Sequence, residues 1–511
     1  MAEAEEVHFS LKVMMMKESN KVIYAEVDSD FADVLFSFLT LPLGTIMRLF
    51  VENGGKYAST VGSLRSLFLG FRLLDSGHFW TEEGREMLLF PRNSSANECR
   101  RLKLQIDDTP PIKYFMCGNL TCVSTYANVQ CPCSTSRNTM TRTDFEVVDE
   151  SGEQSAFTMH RASFLLTDDL CIMANTTASL LRILKLNGIE HTRVLEERTM
   201  RFGLEEIMKL LEGSLVSETP ITDIILCKTS AAATLDKGKH PVSAKYESNA
   251  FPHAQNRENI SSDSKKITVK VLVQKSTNMI LLAQSRQDFV DFLFSFLTIP
   301  LGRVLFLLGN NAACFWSINN LYKSISNLEV GMYMKSKDTN TKLLEPQIPP
   351  YHLSNHQIFP LSQQNPLVIC KRIKNGYFEL FVPSISALGH TEMKMIHPRG
   401  QDSFVKGPAT FMVTDDLKVT TPSSNFIIST LNEMNIPLSD VDEQELHIGI
   451  DEALSILKAS LTSTHALNEG LKPFLKTAET NRVVKTEAGQ PTKKRLLAGQ
   501  SGPTREDSGN R

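Results

Sequence analysis

Asp30-Phe-Ala-Asp-Val-Leu-Phe-Ser-Phe-Leu-Thr-Leu-Pro-Leu-Gly44 recurs as Asp288-Phe-Val-Asp-Phe-Leu-Phe-Ser-Phe-Leu-Thr-Ile-Pro-Leu-Gly302, with twelve of fifteen positions identical. A match of this kind within one chain marks two tandem copies of one fold. Asp30 and Asp288 stand where a helix N-cap is needed, and Asp33 and Asp291 follow three residues later, near the positive end of the helix dipole. Phe31, Val34, Leu35 and Phe38 fall at i, i+3, i+4 and i+7, while Phe36 and Leu39 carry the apolar surface further round. The stretch predicts a buried central helix ended by Pro42 or Pro300, with Gly44 or Gly302 permitting a sharp turn into another apolar segment. Capping explains the aspartates more simply than acid–base chemistry does.

Upstream, Phe9–Lys17 and Val22–Val27 flank a polar loop, and the second copy repeats the arrangement as Ile267–Lys275 and Met279–Ala283, which predicts a β-hairpin in each. Met14, Met15 and Met16 become Leu272, Val273 and Gln274, so the methionines serve as apolar filling rather than sulfur ligands. A loose match of Ser63-Leu-Arg-Ser-Leu67 with Asn320-Leu-Tyr-Lys-Ser-Ile325 predicts a short helix in both. Downstream, Phe164-Leu-Leu-Thr-Asp-Asp-Leu170 and Phe411-Met-Val-Thr-Asp-Asp-Leu417 each read as a strand entering a turn, a second strand and a helix. The paired acids Asp168-Asp169 and Asp415-Asp416 offer hard oxygen ligands to a divalent cation, but solvated turn residues account for them without one. Leu204, Ile207, Met208 and Leu211 share one helix face, as do Ile450, Ala453, Leu454 and Leu457. The fold class is α+β, each copy built from two β-hairpin-plus-helix (ββα) units. The expected organisation is a first module over 7–228, a flexible linker over 229–265, a second module over 266–475 and a disordered basic tail over 476–511.

The 511 residues are 41% hydrophobic and 22% charged, with a net charge of -3, which gives no broad field for nucleic acid. Val34–Val51 contains Pro42, Gly44 and Arg48, and Phe289–Leu308 contains Asp291, Pro300 and Arg303, so neither is the run of roughly 18 uncharged apolar residues that a membrane span requires. The acidic start Met-Ala-Glu-Ala-Glu-Glu lacks the features of a secretory signal, and the expectation is an intracellular protein, cytoplasmic or nuclear. Seven of nine cysteines precede residue 230, a distribution unlike a disulfide framework serving both copies.

Cys117, Cys122, Cys131 and Cys133 give the spacing C-x4-C-x8-C-x-C. Four thiolates within seventeen residues suit a closed tetrahedral zinc site, one structural zinc being the expected cofactor. Free or redox-active thiols are the alternative. The second copy has only Cys370 in the corresponding region. Phosphate-binding, dinucleotide, zinc-protease and serine-hydrolase motifs are absent, no catalytic residue is assigned, and His160, His191 and His253 read as incidental polar residues.

The repeated D-F-x-D-x-L-F-S-F-L-T-x-P-L-G element, the Pro91-Arg-Asn-Ser-Ser95 segment, the cysteine cluster and the two F-x-x-T-D-D-L elements resemble a plant family known as domain of unknown function 674. The resemblance implies a plant source and two copies per chain, and no established activity, cofactor or partner. The functional expectation is a non-catalytic interaction or scaffold protein with a protein partner. An enzyme with a pocket within or between the modules is the alternative.

Overall fold

A computed structural model describes residues 7–53, 61–133, 140–143, 155–226, 265–309, 312, 315–366, 368–374, 377–381, 391–399 and 403–475. The expected linker, but for its last residue, and the expected basic tail lie outside these residues, as does His253. The first half runs β1 (Phe9–Met16), β2 (Val22–Asp28), α1 (Ser29–Ser37), α2 (Leu43–Glu52), α3 (Leu64–Leu73), α4 (Glu82–Leu89), α5 (Ala96–Cys99), β3 (Tyr114–Met116), β4 (Cys122–Ser124), β5 (Thr141–Thr143), β6 (Ser163–Thr167), β7 (Ile172–Ala174), α6 (Thr177–Leu186), β8 (Leu195–Phe202), α7 (Leu204–Val216) and α8 (Pro220–Ile225). The second half runs β9 (Ile267–Gln274), β10 (Met279–Arg286), α9 (Gln287–Ser295), α10 (Leu301–Leu308), α11 (Trp316–Asn327), α12 (Lys337–Leu344), β11 (Cys370–Lys374), β12 (Tyr377–Phe381), β13 (Thr391–Glu392), β14 (Lys394–Met395), β15 (Thr410–Thr414), β16 (Val419–Thr420), α13 (Ser424–Glu433), β17 (Val441–Ile448), α14 (Ile450–Thr462) and α15 (Ala466–Leu471). Both halves fall within one compact unit, Met1–Phe474.

Two antiparallel sheets of identical topology result, β7-β6-β2-β1-β8 and β16-β15-β10-β9-β17, and the fold is α+β. Period-two alternation sets their faces. Phe9, Leu11, Val13 and Met15 point into the core from β1, as Ile267, Val269, Val271 and Val273 do from β9. Phe31 of α1 meets Phe9 and Phe202 edge-on at 5.2 and 5.7 Å, so α1 lies on that face. Helix α6 covers the other face, where Ile183 packs with Ile23, Tyr24 and Leu165 and against Met14 and Met16. Each sheet therefore contains two hairpin-plus-helix units that share it through the β2–β6 or β10–β15 pairing. Edge strands β8 and β17 were not legible: Leu-Glu-Glu-Arg-Thr-Met-Arg-Phe and Val-Asp-Glu-Gln-Glu-Leu-His-Ile are largely exposed, so they carry little alternation.

The repeated stretch forms the junction between the halves. Pro42 and Pro300 pair across it, with Leu43 N–H donating to Ile299 O (3.0 Å) and Leu301 N–H to Leu41 O (2.9 Å). Gly44 and Gly302, expected in sharp turns, lie instead in the first turns of α2 and α10. A Cβ on Gly44 would stand 2.9 Å from Leu297 O, and one on Gly302 would stand 2.5 Å from Leu343 O and 3.0 Å from Leu39 O. Close backbone approach is the reason for glycine here.

Beyond the junction the halves exchange helices. Helix α3 packs on β16 and α9 of the second half, with Phe71 against Phe294 at 5.5 Å. Helix α11 packs on β7 and α7 of the first. The contacts are reciprocal: Ser63 Oγ donates to Ser463 O (2.7 Å) and Ser317 Oγ to Ser217 O (2.6 Å). Ser63 thus corresponds to Ser317, which corrects the sequence alignment of this helix by three residues.

The aspartates also differ from expectation. Asp28, not Asp30, caps α1 by accepting the Phe31 N–H at 2.9 Å, because β2 passes directly into the helix; Arg286 holds the equivalent place and makes no side-chain cap. Asp33 is buried and accepts N–H bonds from Ala156 (2.6 Å), Phe157 (3.1 Å) and Thr158 (2.8 Å). Asp291, equally buried, accepts from Phe404 (2.6 Å) and Val405 (2.9 Å). The segment held by Asp33 pairs with Tyr333–Lys335 of the second half, and the segment held by Asp291 pairs with His78–Trp80 of the first. Asp168, expected as a solvated turn residue, is buried and accepts from Thr222 N–H (2.9 Å) and Oγ1 (2.7 Å), while Asp415 accepts from Asn468 N–H (2.9 Å) and pairs with His465 (2.8 Å). Burial pushes the Asp168 carboxyl up to about 7, against the pull of its bonds to Thr222. These acids tie α8 and α15 to the hairpin turns.

Among the described residues no helix is long and apolar enough to cross a membrane. Buried Arg48 is paired in a two-pronged contact with Asp108, both distances 2.6 Å. Gly302→Ala is expected to destabilise the fold by about 1–3 kcal/mol in urea unfolding, because two backbone carbonyls cannot yield and overpacking outweighs a helix-propensity gain of about 1 kcal/mol. Gly118→Ala, with nothing within 4 Å of its Cβ position, is expected to stay within about 0.5 kcal/mol of wild type.

Candidate functional site

The four predicted thiols converge. Cys117 follows β3, Cys122 opens β4, and Leu120 in the turn between them takes φ +54°, while Cys131 and Cys133 return on the loop after β4. All four Sγ atoms lie within 4.8 Å of one another. The Cys117–Cys133 and Cys122–Cys133 separations are 3.6 and 3.8 Å. A tetrahedron of sulfurs about 2.3 Å from a central zinc has edges of about 3.8 Å, whereas a disulfide requires about 2.05 Å. The donor set and its spacing therefore fit a tetrahedral metal. Cys122 N–H points at Cys117 Sγ (3.2 Å) and Cys133 N–H at Cys131 Sγ (3.4 Å), orienting the sulfurs from the backbone. Burial pushes the Cys117 thiol up, but bonds from Thr121, Cys122 and Cys133 outweigh it and bring Cys117 down to about 6. Cys133 is lowered as well, whereas burial raises Cys122 and Cys131, so two of the four favour the thiolate that a metal ligand needs.

This knuckle is built by both halves. Strand β14 adds parallel to β4, with Lys394 N–H donating to Thr121 O and Ile396 N–H to Val123 O, both at 2.9 Å. Tyr114 and Val123 pack with Ile369 and Met393 beneath it. Sequence spacing identified the four cysteines, but nothing in it pointed to a strand almost three hundred residues away.

Beside the knuckle lies a cleft of about 470 Å³. One wall continues from β3 and β4 (Tyr114, Thr125, Tyr126) and a second is the α5 region (Arg92, Asn93, Ala96, Arg100). The second half contributes Pro349–His352, Gln364–Pro366, Met395 and Pro398. Arg92 stacks over Tyr126 at 4.8 Å and donates to Thr125 O at 3.2 Å, so its guanidinium is fixed. His352 is 1% exposed. Its Nδ1 lies 2.9 Å from Pro350 O, which can only accept, so the proton sits on Nδ1 and Nε2 is a bare acceptor. That Nε2 has no hydrogen-bond partner among the described residues. Burial, with Arg92, Arg399 and His397 adding positive charge, pushes His352 down to about 3. Burial raises the Tyr114 and Tyr126 phenols, and Arg92 partly offsets both. A recess of about 200 Å³ adjoins the cleft, sharing Arg92 and Arg100 and reaching Cys99, whose thiol burial pushes up to about 12.

Over residues 5–451 the chain matches a family model described as Protein of unknown function (DUF674). The chain belongs to the DUF674 family. No curated protein and no solved structure matches it. In this DUF674 chain His160 and His191 are exposed. His352 and His356 were missed because the charged groups that act on them, Arg92 and Asp291, are distant in sequence. Ser354 and His356 both bond Asp291 (3.3 Å for His356), so the serine hydroxyl is directed to the carboxylate and not to the imidazole, unlike a nucleophile–base relay.

His352 implies an acid-sensitive slope. Its folded value lies below the ordinary 6.5, so the unfolded chain binds the proton more readily, and this stabilisation is present above about pH 6.5 and lost as pH falls toward 3. At about pH 4.5 the loss is about 3 kcal/mol. His352→Phe is expected to show a shallower decline than wild type when urea midpoints are compared between about pH 7 and 4.5; equal slopes would refute the assignment.

Proposed function

We propose that this protein is a non-catalytic plant interaction protein acting inside the cell, in the cytoplasm or nucleus, and holding a protein partner on a rigid scaffold made of its two halves. The protonation chemistry of the junction cleft carries this reading. Guanidinium groups stay protonated, a neutral His352 near 3 is too weak a base to take a proton at neutral pH, and the Tyr114 and Tyr126 phenols are raised. Such groups bind without exchanging protons. The buried carboxylates Asp33, Asp168 and Asp291 are engaged with backbone N–H groups, which supports a structural use for them. An enzyme with its pocket between the halves is the competing reading; the cleft's volume favours it and the protonation states oppose it.

One structural zinc at Cys117, Cys122, Cys131 and Cys133 is part of the proposal. Sulfur separations of 3.6 and 3.8 Å support zinc, and a closed shell of four thiolates leaves no open position for catalysis. Tyr114 and Thr125, which adjoin the knuckle, form a cleft wall, so the metal would fix the shape of that wall.

Elemental analysis of the purified full chain is expected to give one zinc per molecule, lost in the Cys131→Ser/Cys133→Ser variant together with a lower Tm. Absent zinc, or zinc retained in that variant, overturns the metal assignment. Affinity capture from plant extract with the full chain is expected to return a specific protein that forms a stoichiometric complex with it when both are purified. Failure of every captured protein to re-form such a complex removes the partner.

A further inference from the structure

The junction cleft combines three features that none of its structural roles explains. Among the described residues its lining contains two arginines and no acidic residue. Asp107 lines only the adjoining recess, and Glu83 and Glu86 act on Tyr126 from α4 without lining the cleft. Among the described residues the Arg100 side chain has no hydrogen-bond or ion-pair partner, yet its charge and that of Arg92 both act on the Tyr114 phenol. Two guanidinium groups thus belong to one cleft, and a described lining without carboxylates leaves their field unopposed there. Third, His352 presents a buried, unprotonated Nε2 without a partner among the described residues, and a buried acceptor left unmet is destabilising. A bound group that donates an O–H or N–H would relieve that cost.

We propose that the cleft is a binding site for a small organic anion: a flat ring bearing a carboxylate, with an O–H or N–H donor at its other end. Arg92 and Arg100 take the carboxylate, since a guanidinium matches its two oxygens with paired N–H donors. Tyr114, Tyr126 and the prolines of the lining accept the ring, and the donor group meets His352 Nε2. A volume of about 470 Å³ is in the range of sites for ligands of this size. The imidazole discriminates in a further way. Because the Nδ1 proton is committed to Pro350 O, Nε2 can only accept, so the site rejects a second anion at that end and selects a hydroxyl or amide.

This binding goes beyond the protein-partner reading and is tested apart from it, by isothermal titration of the purified full chain with 4-hydroxycinnamate, cinnamate, 4-hydroxybenzylamine and inorganic phosphate. The expected result is saturable one-to-one binding of 4-hydroxycinnamate below about 1 mM, with cinnamate at least about tenfold weaker for want of the hydroxyl. The amine, which carries the ring and hydroxyl but the opposite charge, is expected not to bind. Arg100→Gln, at an exposed position without a partner, is expected to leave Tm unchanged and weaken 4-hydroxycinnamate by about tenfold or more. The assignment is overturned if neither carboxylate saturates the protein by about 10 mM, if Arg100→Gln binds as wild type does, or if phosphate competes as well as the ring-bearing anion. His352→Phe provides a second reading: it is expected to equalise cinnamate and 4-hydroxycinnamate, and a preserved preference removes the histidine from the site.

Discussion

Everything in this fold depends on two near-identical stretches meeting each other. Pro42 pairs with Pro300, Leu43 donates to Ile299 while Leu301 donates to Leu41, and Gly44 and Gly302 let the helix backbones approach closely. In a self-complementary contact each side must satisfy the same geometry, so a change in one copy disturbs the surface it meets in the other. That requirement accounts for twelve identities in fifteen positions in physical terms. Packing alone tolerates exchange of one apolar residue for another, as the replacement of Met14–Met16 by Leu272–Gln274 illustrates.

The buried aspartates extend the junction outward. A carboxylate removed from water needs donors, and for Asp33 and Asp291 the donors are successive backbone N–H groups of a loop that in turn pairs with the opposite half. Each carboxylate thus fixes its own half's loop and, through it, a segment of the other. The exchange of α3 and α11 works with this arrangement, because each helix buries its apolar face on the opposite sheet. Two sheets of the same topology become one body without a continuous sheet between them.

Where the halves differ, the molecule acquires its candidate sites. The first half supplies the four-cysteine knuckle and the arginines of the α5 region; the second supplies the β14 strand that clamps the knuckle and the proline-rich segment that holds His352. The four cysteines have no counterpart in the second half, which has only Cys370 in the corresponding region. The near-symmetric core therefore holds an asymmetric rim in place, and the four-cysteine cluster and the cleft belong to that rim. Rigid support of this kind suits binding, since little ordering remains to be done when a partner or ligand arrives.

The sequence by itself determined the α+β class, the paired hairpin-plus-helix units, the buried α1 helix and the four cysteines, because each depends on residue periodicity or close spacing. It placed the helix cap two residues late, at Asp30 instead of Asp28, and read Gly44 and Gly302 as turn residues, because a glycine at a turn and one at a close backbone approach look alike in one dimension. Asp168 looked like a solvated turn acid because its partner, Thr222, lies more than fifty residues away. Only the tertiary structure decided that α3 and α11 are exchanged, that β14 completes the knuckle sheet, and that His352 meets Arg92 in a cleft. Those outcomes depend on which apolar faces and unpaired backbone groups find one another across the whole chain, and local pattern carries no record of that choice.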